Sequence, residues 1–203
     1  MKIICVGRNY ADHAKELKNE VPEEPVLFLK PETALVLKRH PFFIPDFSDD
    51  VHYECELVIK INRLGKHIEE RFAHKYYNEV SVGIDFTARD LQAKLKAKGL
   101  PWERAKAFDG SAVVGKFLDK STLPATDALN FSLFRNGEAV QKGNTSDMLF
   151  SIDKIIAFAS QYFTLKIGDL IFTGTPAGVG KIHAGDILEG YIENESLFKL
   201  NVK

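Results

Sequence analysis

The stretch His52–Ile61, HYECELVIKI, alternates along its whole length. Tyr53, Cys55, Leu57, Ile59 and Ile61 fall on one face, and Glu54, Glu56, Val58 and Lys60 on the other. A period of two marks a β-strand, and Val51 extends it at its start. Residues i and i+2 of a strand project from the same face, so the carboxylates of Glu54 and Glu56 stand side by side. Two such groups repel, and burial raises the pKa of at least one of them. A divalent cation resolves the conflict, and oxygen-only ligands favour a hard ion: Mg²⁺ or Mn²⁺, with Ca²⁺ as a substitute. Taken alone, the same pair also suits the solvated face of an edge strand, where acids are usual.

Short elements follow on either side. Lys2–Val6 is an apolar strand ending at Gly7, and Asp12–Leu17 a short helical turn. Val21–Pro31 holds three prolines around VLFL, which requires extended chain. Arg71–Tyr77 reads as a short helix and Val80–Phe86 as a strand. Thr87 opens a further helix, with Asp90 three residues on as in a capping box and Gly99 and Pro101 closing it. Ser151 caps the clearest helix, whose apolar stripe is Ile152, Ile155, Ile156, Ala159 and Phe163. Gly168-Asp169-Leu170-Ile171 and Gly185-Asp186-Ile187-Leu188 each read as a turn leading into a strand. Many short strands and few helices define a mixed, β-rich fold with non-local pairing, in a single domain over 1–203.

The 203 residues carry 27 basic and 28 acidic side chains, a formal charge of −1, which lacks the basic excess of a nucleic-acid binder. No apolar run approaches the roughly 20 residues of a membrane span, and MKIICVGRNY is not a signal peptide. Two cysteines, Cys5 and Cys55, allow one disulfide but no framework, and fit a reducing compartment better. The expected location is the cytoplasm.

Asp85 ends the apolar strand SVGIDF immediately before a helix, a common place for site residues, though a turn or cap accounts for it equally well. Three carboxylates would leave a cation with open positions, to which a 2-oxo acid can offer a carboxylate oxygen and its oxo oxygen. His13 and Glu16, at i and i+3, share a helix side. A carboxylate beside an imidazole orients it and raises its basicity, as a general base needs; a surface ion pair fits the spacing too. Arg89, Gln92 and Lys106 can bind an anion or an oxo group, whereas the neighbouring Lys94, Lys96 and Lys98 read as a solvated face. Thr173–Gly180, TGTPAGVG, fails as a P-loop, because Thr175 and Ile182 stand where Gly and Ser/Thr are needed. What remains is an anion nest, in which Gly174 and Thr175 offer amides and a hydroxyl to a substrate carboxylate. There is no G-x-S-x-G, H-E-x-x-H or C-x-x-C.

In order, GRNYADHAKEL (7–17), PVLFLKP (25–31), HYECELVIKI (52–61), GIDFTARDLQ (83–92), KGLPWERAKAFDG (98–110) and GDLIFTGTPAGVG (168–180) resemble the fumarylacetoacetate hydrolase family, in its small single-domain form. The resemblance spans nearly the whole chain; 119–142 matches least, and no role is assigned there. It implies the family's β-roll with a few short helices, usually a homodimer. It also implies Mg²⁺ or Mn²⁺ held by Glu54, Glu56 and Asp85. His13 and Glu16 then form the catalytic pair on a lid segment, Lys106 supports catalysis, and Arg89, Gln92, Gly174 and Thr175 line the pocket for a small 2-oxo acid. The activity it implies first is hydrolysis of the carbon–carbon bond of 3-acylpyruvates, of the acetylpyruvate or fumarylpyruvate type. The route is a metal-stabilised pyruvate enolate, with the His–Glu pair activating water. Oxaloacetate decarboxylase or tautomerase comes second, and a 2-hydroxyhepta-2,4-diene-1,7-dioate isomerase third. A catalytically silent binding protein is the non-enzymatic alternative.

Overall fold

A computed structural model describes residues 1–17 and 20–203. In chain order the elements are β1 (Ile3–Gly7), α1 (Ala11–Glu16), β2 (Val26–Lys30), β3 (Val51–Tyr53), β4 (Cys55–Ile61), α2 (Glu70–Ala73), β5 (Tyr77–Asp85), β6 (Thr87–Ala88), α3 (Arg89–Ala97) and α4 (Glu103–Lys106). There follow β7 (Ala112–Val114), β8 (Leu118–Asp119), β9 (Asn130–Arg135), β10 (Glu138–Asn144), α5 (Ile152–Tyr162), β11 (Leu170–Phe172), β12 (Gly180–Lys181), β13 (Ile187–Ile192) and β14 (Glu195–Asn201).

The largest sheet runs β2-β1-β11-β4-β5-β7, with β8 also on β5. Its pairs are antiparallel except β1 with β11. A second sheet, β10-β9-β13-β14, covers one side, and a small third sheet is β12-β3-β6. The alternation read in 52–61 separates two cores. Cys55, Leu57, Ile59 and Ile61 join Ile4, Val6, Val82, Ile84 and Ile171 in the main core. Val58 turns the other way, to Ile3, Cys5, Leu170 and Phe172. The second face is therefore buried, not solvated. Both cysteines are buried and free.

Several expectations change. The strand over 51–61 breaks at Glu54: β3 belongs to the small sheet and β4 to the large one, so the chain changes sheets at that residue. The Glu54 carbonyl there accepts from Asp85 N at 2.9 Å. The helix expected over 71–77 is a single turn, and Tyr77 begins β5 because its ring is buried in the main core. Thr87 does not cap α3. It lies in β6 with its hydroxyl held elsewhere, and α3 starts at Arg89 with no side-chain cap. Ser151 caps α5 as expected, its Oγ accepting from Lys154 N at 3.2 Å. Gly168 and Gly185 take φ of 88° and 95° in the two turns, backbone that favours glycine. No helix among the described residues is long and apolar enough to cross a membrane.

Candidate active site

The break at Glu54 and the end of β5 bring three carboxylates together. Glu54, Glu56 and Asp85 are all buried, and one oxygen from each lies within 4.8 Å of the others. Register sets this: Glu56 pairs with Gly83, and Asp85 follows two residues on, beside Glu54. A side chain at Gly83 would come within 2.4 Å of Val113 O, so the sheet closes here only over glycine.

Two buried ammonium groups hold the trio. Lys106 Nζ, at the end of α4, donates to Glu54 Oε2 and Asp85 Oδ2, each at 2.7 Å, and to Thr87 Oγ1 at 2.6 Å. Lys30 Nζ, at the end of β2, stands 2.8 Å from Asp85 Oδ1. Its hydrogen bonds go instead to Lys106 O and to Ser111 O and Oγ, and Asp85 Oδ1 is left without one. Arg89 Nη2 bonds Glu54 Oε1, and Arg89 Nη1 donates to Gln92 Oε1 at 2.9 Å.

The charges order the titrations. Burial alone would raise the Glu54 pKa, but Lys106 and Arg89 outweigh it and hold the group well below the ordinary carboxylate range. Burial, then the charges of Asp85 and Glu54, push Glu56 well above that range. Its stabilising contact is the Gly174 N–H, donated to Oε2 at 2.7 Å. Lys106 is raised despite burial, because Asp85 and Glu54 hold its proton. A pocket that raises Glu56 between two other carboxylates has room for positive charge beside it. The all-oxygen donor set fits a hard divalent cation.

His13 lies on α1 against the same cavity, 4% exposed. Its Nδ1 is 3.2 Å from Glu16 Oε2, and Glu16 Oε1 accepts from Gly178 N at 3.1 Å. The segment 173–180 therefore touches both the carboxylate trio, through Gly174, and the His–Glu pair, through Gly178. It is not an open nest, because the Gly174 amide is used on Glu56. Gly174 has φ +100°, and a Cβ there would meet Asn9 Cβ at 2.6 Å. Asn9, fully buried, donates to Phe150 O and Thr173 O at 3.0 and 2.8 Å and accepts from Phe150 N at 2.8 Å.

His13, Glu54, Glu56, Asp85, Arg89, Gln92, Lys106 and Thr175 all line one cavity of about 40 Å³. Glu16 and Gly174 stand behind it. Sequence reasoning missed Lys30, Asn9 and Gln141. Gln141 Oε1 accepts from Cys55 N at 2.8 Å, and its Nε2 donates to Thr175 Oγ1 at 2.9 Å and Pro176 O at 3.0 Å. It falls within the stretch 119–142 to which no role was given. Lys96, read as part of a solvated face, is half-buried and lines the cavity.

The fold is thus β-rich and carries a buried trio of carboxylates beside a His–Glu pair. Residues 2–201 match the model of the fumarylacetoacetate (FAA) hydrolase C-terminal family. The mitochondrial oxaloacetate tautomerase FAHD1 of Mus musculus is 45% identical over 201 residues, covering 99% of this chain and 91% of that protein. The oxaloacetate tautomerase YcgM of Escherichia coli is 44% identical, covering 97% and 90%. Fumarylpyruvate hydrolase from Pseudomonas aeruginosa, solved with Mn²⁺ and pyruvate, superposes with a TM-score of 0.93 at 35% identity, covering 100% and 89%. The chain belongs to the fumarylacetoacetate hydrolase family and has its β-rich fold.

Proposed function

We propose that this protein is a divalent-cation-dependent tautomerase of oxaloacetate, interconverting its oxo and enol forms. The observation that carries the reading is the placing of His13, buried and braced by Glu16, on the wall of the same small cavity as the carboxylate trio and Lys106. Tautomerisation needs only a base, an acid and stabilisation of charge on one oxygen. Hydrolysis also needs room for an acyl chain and an attacking water. This reverses the order reached from sequence, and the names of the relatives at 44–45% identity point the same way.

Glu54, Glu56 and Asp85 would hold Mg²⁺ or Mn²⁺, which when bound polarises the 2-oxo group and offsets negative charge on its oxygen. Arg89 and Gln92 take the adjoining carboxylate. His13, oriented by Glu16, removes a proton from C3. Lys106, whose three N–H groups go to Glu54, Asp85 and Thr87, places its positive charge on the same wall, and the proton that His13 has taken returns to the oxo oxygen to complete the enol. Thr175, fixed by Gln141, lines the facing wall. The test is the decay of the enol absorbance of oxaloacetate with Mg²⁺, Mn²⁺ or chelator, beside pyruvate release from acetylpyruvate. Chelator-sensitive decay well above the uncatalysed rate is expected; none, with pyruvate released from acetylpyruvate, would overturn the reading.

Hydrolysis of an acylpyruvate is the second reading, favoured by the likeness to the fumarylpyruvate hydrolase holding Mn²⁺ and pyruvate.

The protein is further proposed to act as a homodimer in a reducing compartment, the cytoplasm. An apolar groove of about 860 Å³ supports the first part: Leu35, Val114, Phe117, Leu170 and Phe198 line it, with Leu37 69% exposed at its rim. The buried free cysteines support the second. Leu37→Asp should convert a dimer to a monomer by light scattering; an unchanged mass would remove this face.

A further inference from the structure

Two loops meet where β4 ends and β11 begins. Residues 62–67, NRLGKH, leave β4, and residues 162–168, YFTLKIG, lead from the end of α5 toward β11. Backbone bonds clamp them together. Gly65 N donates to Leu165 O at 3.0 Å and Leu165 N to Gly65 O at 2.8 Å. Gly168 N donates to Ile61 O at 2.8 Å, and His67 N to Ser160 O at 2.9 Å. Leu165 and Ile68 turn inward to the main core. Leu64, Tyr162 and Ile167 stay outside it, 63%, 58% and 73% exposed. Ile167 stands at the tip of a turn, closed by Asp169 N on Lys166 O at 3.0 Å and by Lys166 N on Asp169 Oδ2 at 2.8 Å. Turn tips ordinarily carry Gly, Pro, Asn, Asp or Ser, so the turn itself does not call for an isoleucine.

The charge around these side chains has one sign. Arg63, Lys66 and Lys166 lie in the two segments, are exposed, and share them with no acidic residue. Lys66 Nζ donates to the Tyr162 carbonyl at 3.5 Å, and Arg63 rests 5.8 Å over the Tyr76 ring. Among the described residues none of the three cations is in an ion pair. Of the acids next in the chain, Glu69 is paired with Arg71 at 2.8 Å, Asp169 is buried against Lys2, and Glu70 opens α2. Neither segment lines the cavity of the trio, and Gly168 is their one residue in the apolar groove.

A standard protein interface takes about 800 Å² from each partner, far more than three side chains on loop tips supply. A nucleic acid offers aliphatic tips no apolar phase. A bilayer requires neither a large area nor a span: attachment grows with the apolar surface inserted and with the pull of anionic headgroups on nearby cations. A tyrosine suits the headgroup level. We propose that the paired loops 62–67 and 162–168 are a membrane-docking surface. Leu64 and Ile167 enter an anionic bilayer, and Arg63, Lys66 and Lys166 lie on its headgroups. The inference is independent of the reaction at the cavity.

The experiment sediments the full chain with vesicles of phosphatidylcholine alone, or with about a third phosphatidylglycerol, at low and high KCl. A cation at such a surface contributes about fivefold, so partition onto the anionic vesicles should exceed that onto neutral ones by roughly a hundredfold at low salt. High KCl should remove most of the difference. The double variant Arg63→Glu, Lys166→Glu should bind anionic vesicles no better than neutral ones. Leu64→Ser with Ile167→Ser should lower anionic binding by more than about tenfold with turnover unchanged. Equal partition onto both compositions, none onto either, or binding that survives both double variants would overturn the proposal. A lower mass of the serine variant by light scattering would assign the patch to a second copy of the chain, and would overturn it too.

Discussion

Gln141→Leu removes one buried amide and changes little else in volume. It deprives Cys55 N of its acceptor and Thr175 Oγ1 and Pro176 O of a donor. Leaving a buried polar group unsatisfied costs about 1–3 kcal/mol. Among the described residues the buried Cys55 N–H has Gln141 Oε1 as its side-chain acceptor, and the two oxygens fare better. The expected loss is therefore roughly 3–5 kcal/mol. In a domain of this size 1 kcal/mol moves the Tm by about 2–4 °C, so a fall of roughly 6–20 °C is expected. Cys55 stands between Glu54 and Glu56, and outer contacts of this kind tune a metal site by about 10–100-fold. Calorimetric unfolding with chelator isolates the first effect, and Mg²⁺ titration of the folded variant the second. A stability loss below about 1 kcal/mol with unchanged Mg²⁺ affinity would refute the reasoning, because the amide would then be replaceable by water.

Three further outcomes are expected. Mg²⁺ at a hundred times its Kd should add about 2.7 kcal/mol, or roughly 5–11 °C in Tm, and Glu56→Ala should stay folded while losing that increment and all cation-dependent turnover; a variant still stabilised like the wild type would dismiss the trio. His13→Ala should lower turnover about 10²–10⁴-fold while calorimetry finds its Mg²⁺ affinity intact, and a wild-type rate would remove His13 as the base. Asp169, despite burial, is depressed by its bonds from the Lys2 side chain, Lys2 N and Lys166 N. Its contribution is present above the unfolded carboxylate pKa and lost as pH falls through the folded value. The stability gap between wild type and Asp169→Asn should therefore be full at neutral pH and shrink below about pH 4; a gap independent of pH would contradict that assignment.

Much of the fold was legible because its signals are local. The alternation at 52–61, the serine cap at 151 and the two Gly-Asp turns each depend on neighbours within a few residues; the cap and turns occur as expected, and the alternation holds although the strand breaks at Glu54. The carboxylate trio was legible for a related reason: Glu56 lies on β4, Glu54 immediately precedes it, and Asp85 ends β5, the strand paired with it. Failures came where a distant group claimed a side chain. Thr87 has the spacing of a cap, but its hydroxyl accepts from Lys106 Nζ, nineteen residues on. Lys30 closes VLFLK and looks like a solvated strand end, yet its partners lie 76 and 81 residues away. Gln141 reaches Cys55 across 86 residues, from a stretch with no motif of its own. A buried lysine or glutamine is defined by what surrounds it, and sequence spacing carries no trace of that.

The parallel pairing of β1 with β11 has a consequence for how the chain is made. β1 lies between β2 and β11 and follows the start of the chain, while its second neighbour comes 167 residues later, as the Lys2–Asp169 contact records. At roughly 5–20 residues per second, a ribosome leaves that edge uncovered for about 8–35 s. Through this interval the nascent chain presents an apolar hairpin with one open side, a template for other strands. The same delay holds for the site, since Gly174 and Gly178 follow β11 in the chain. Glu56 and Glu16 cannot take up the backbone amides of Gly174 and Gly178 until that stretch has been made.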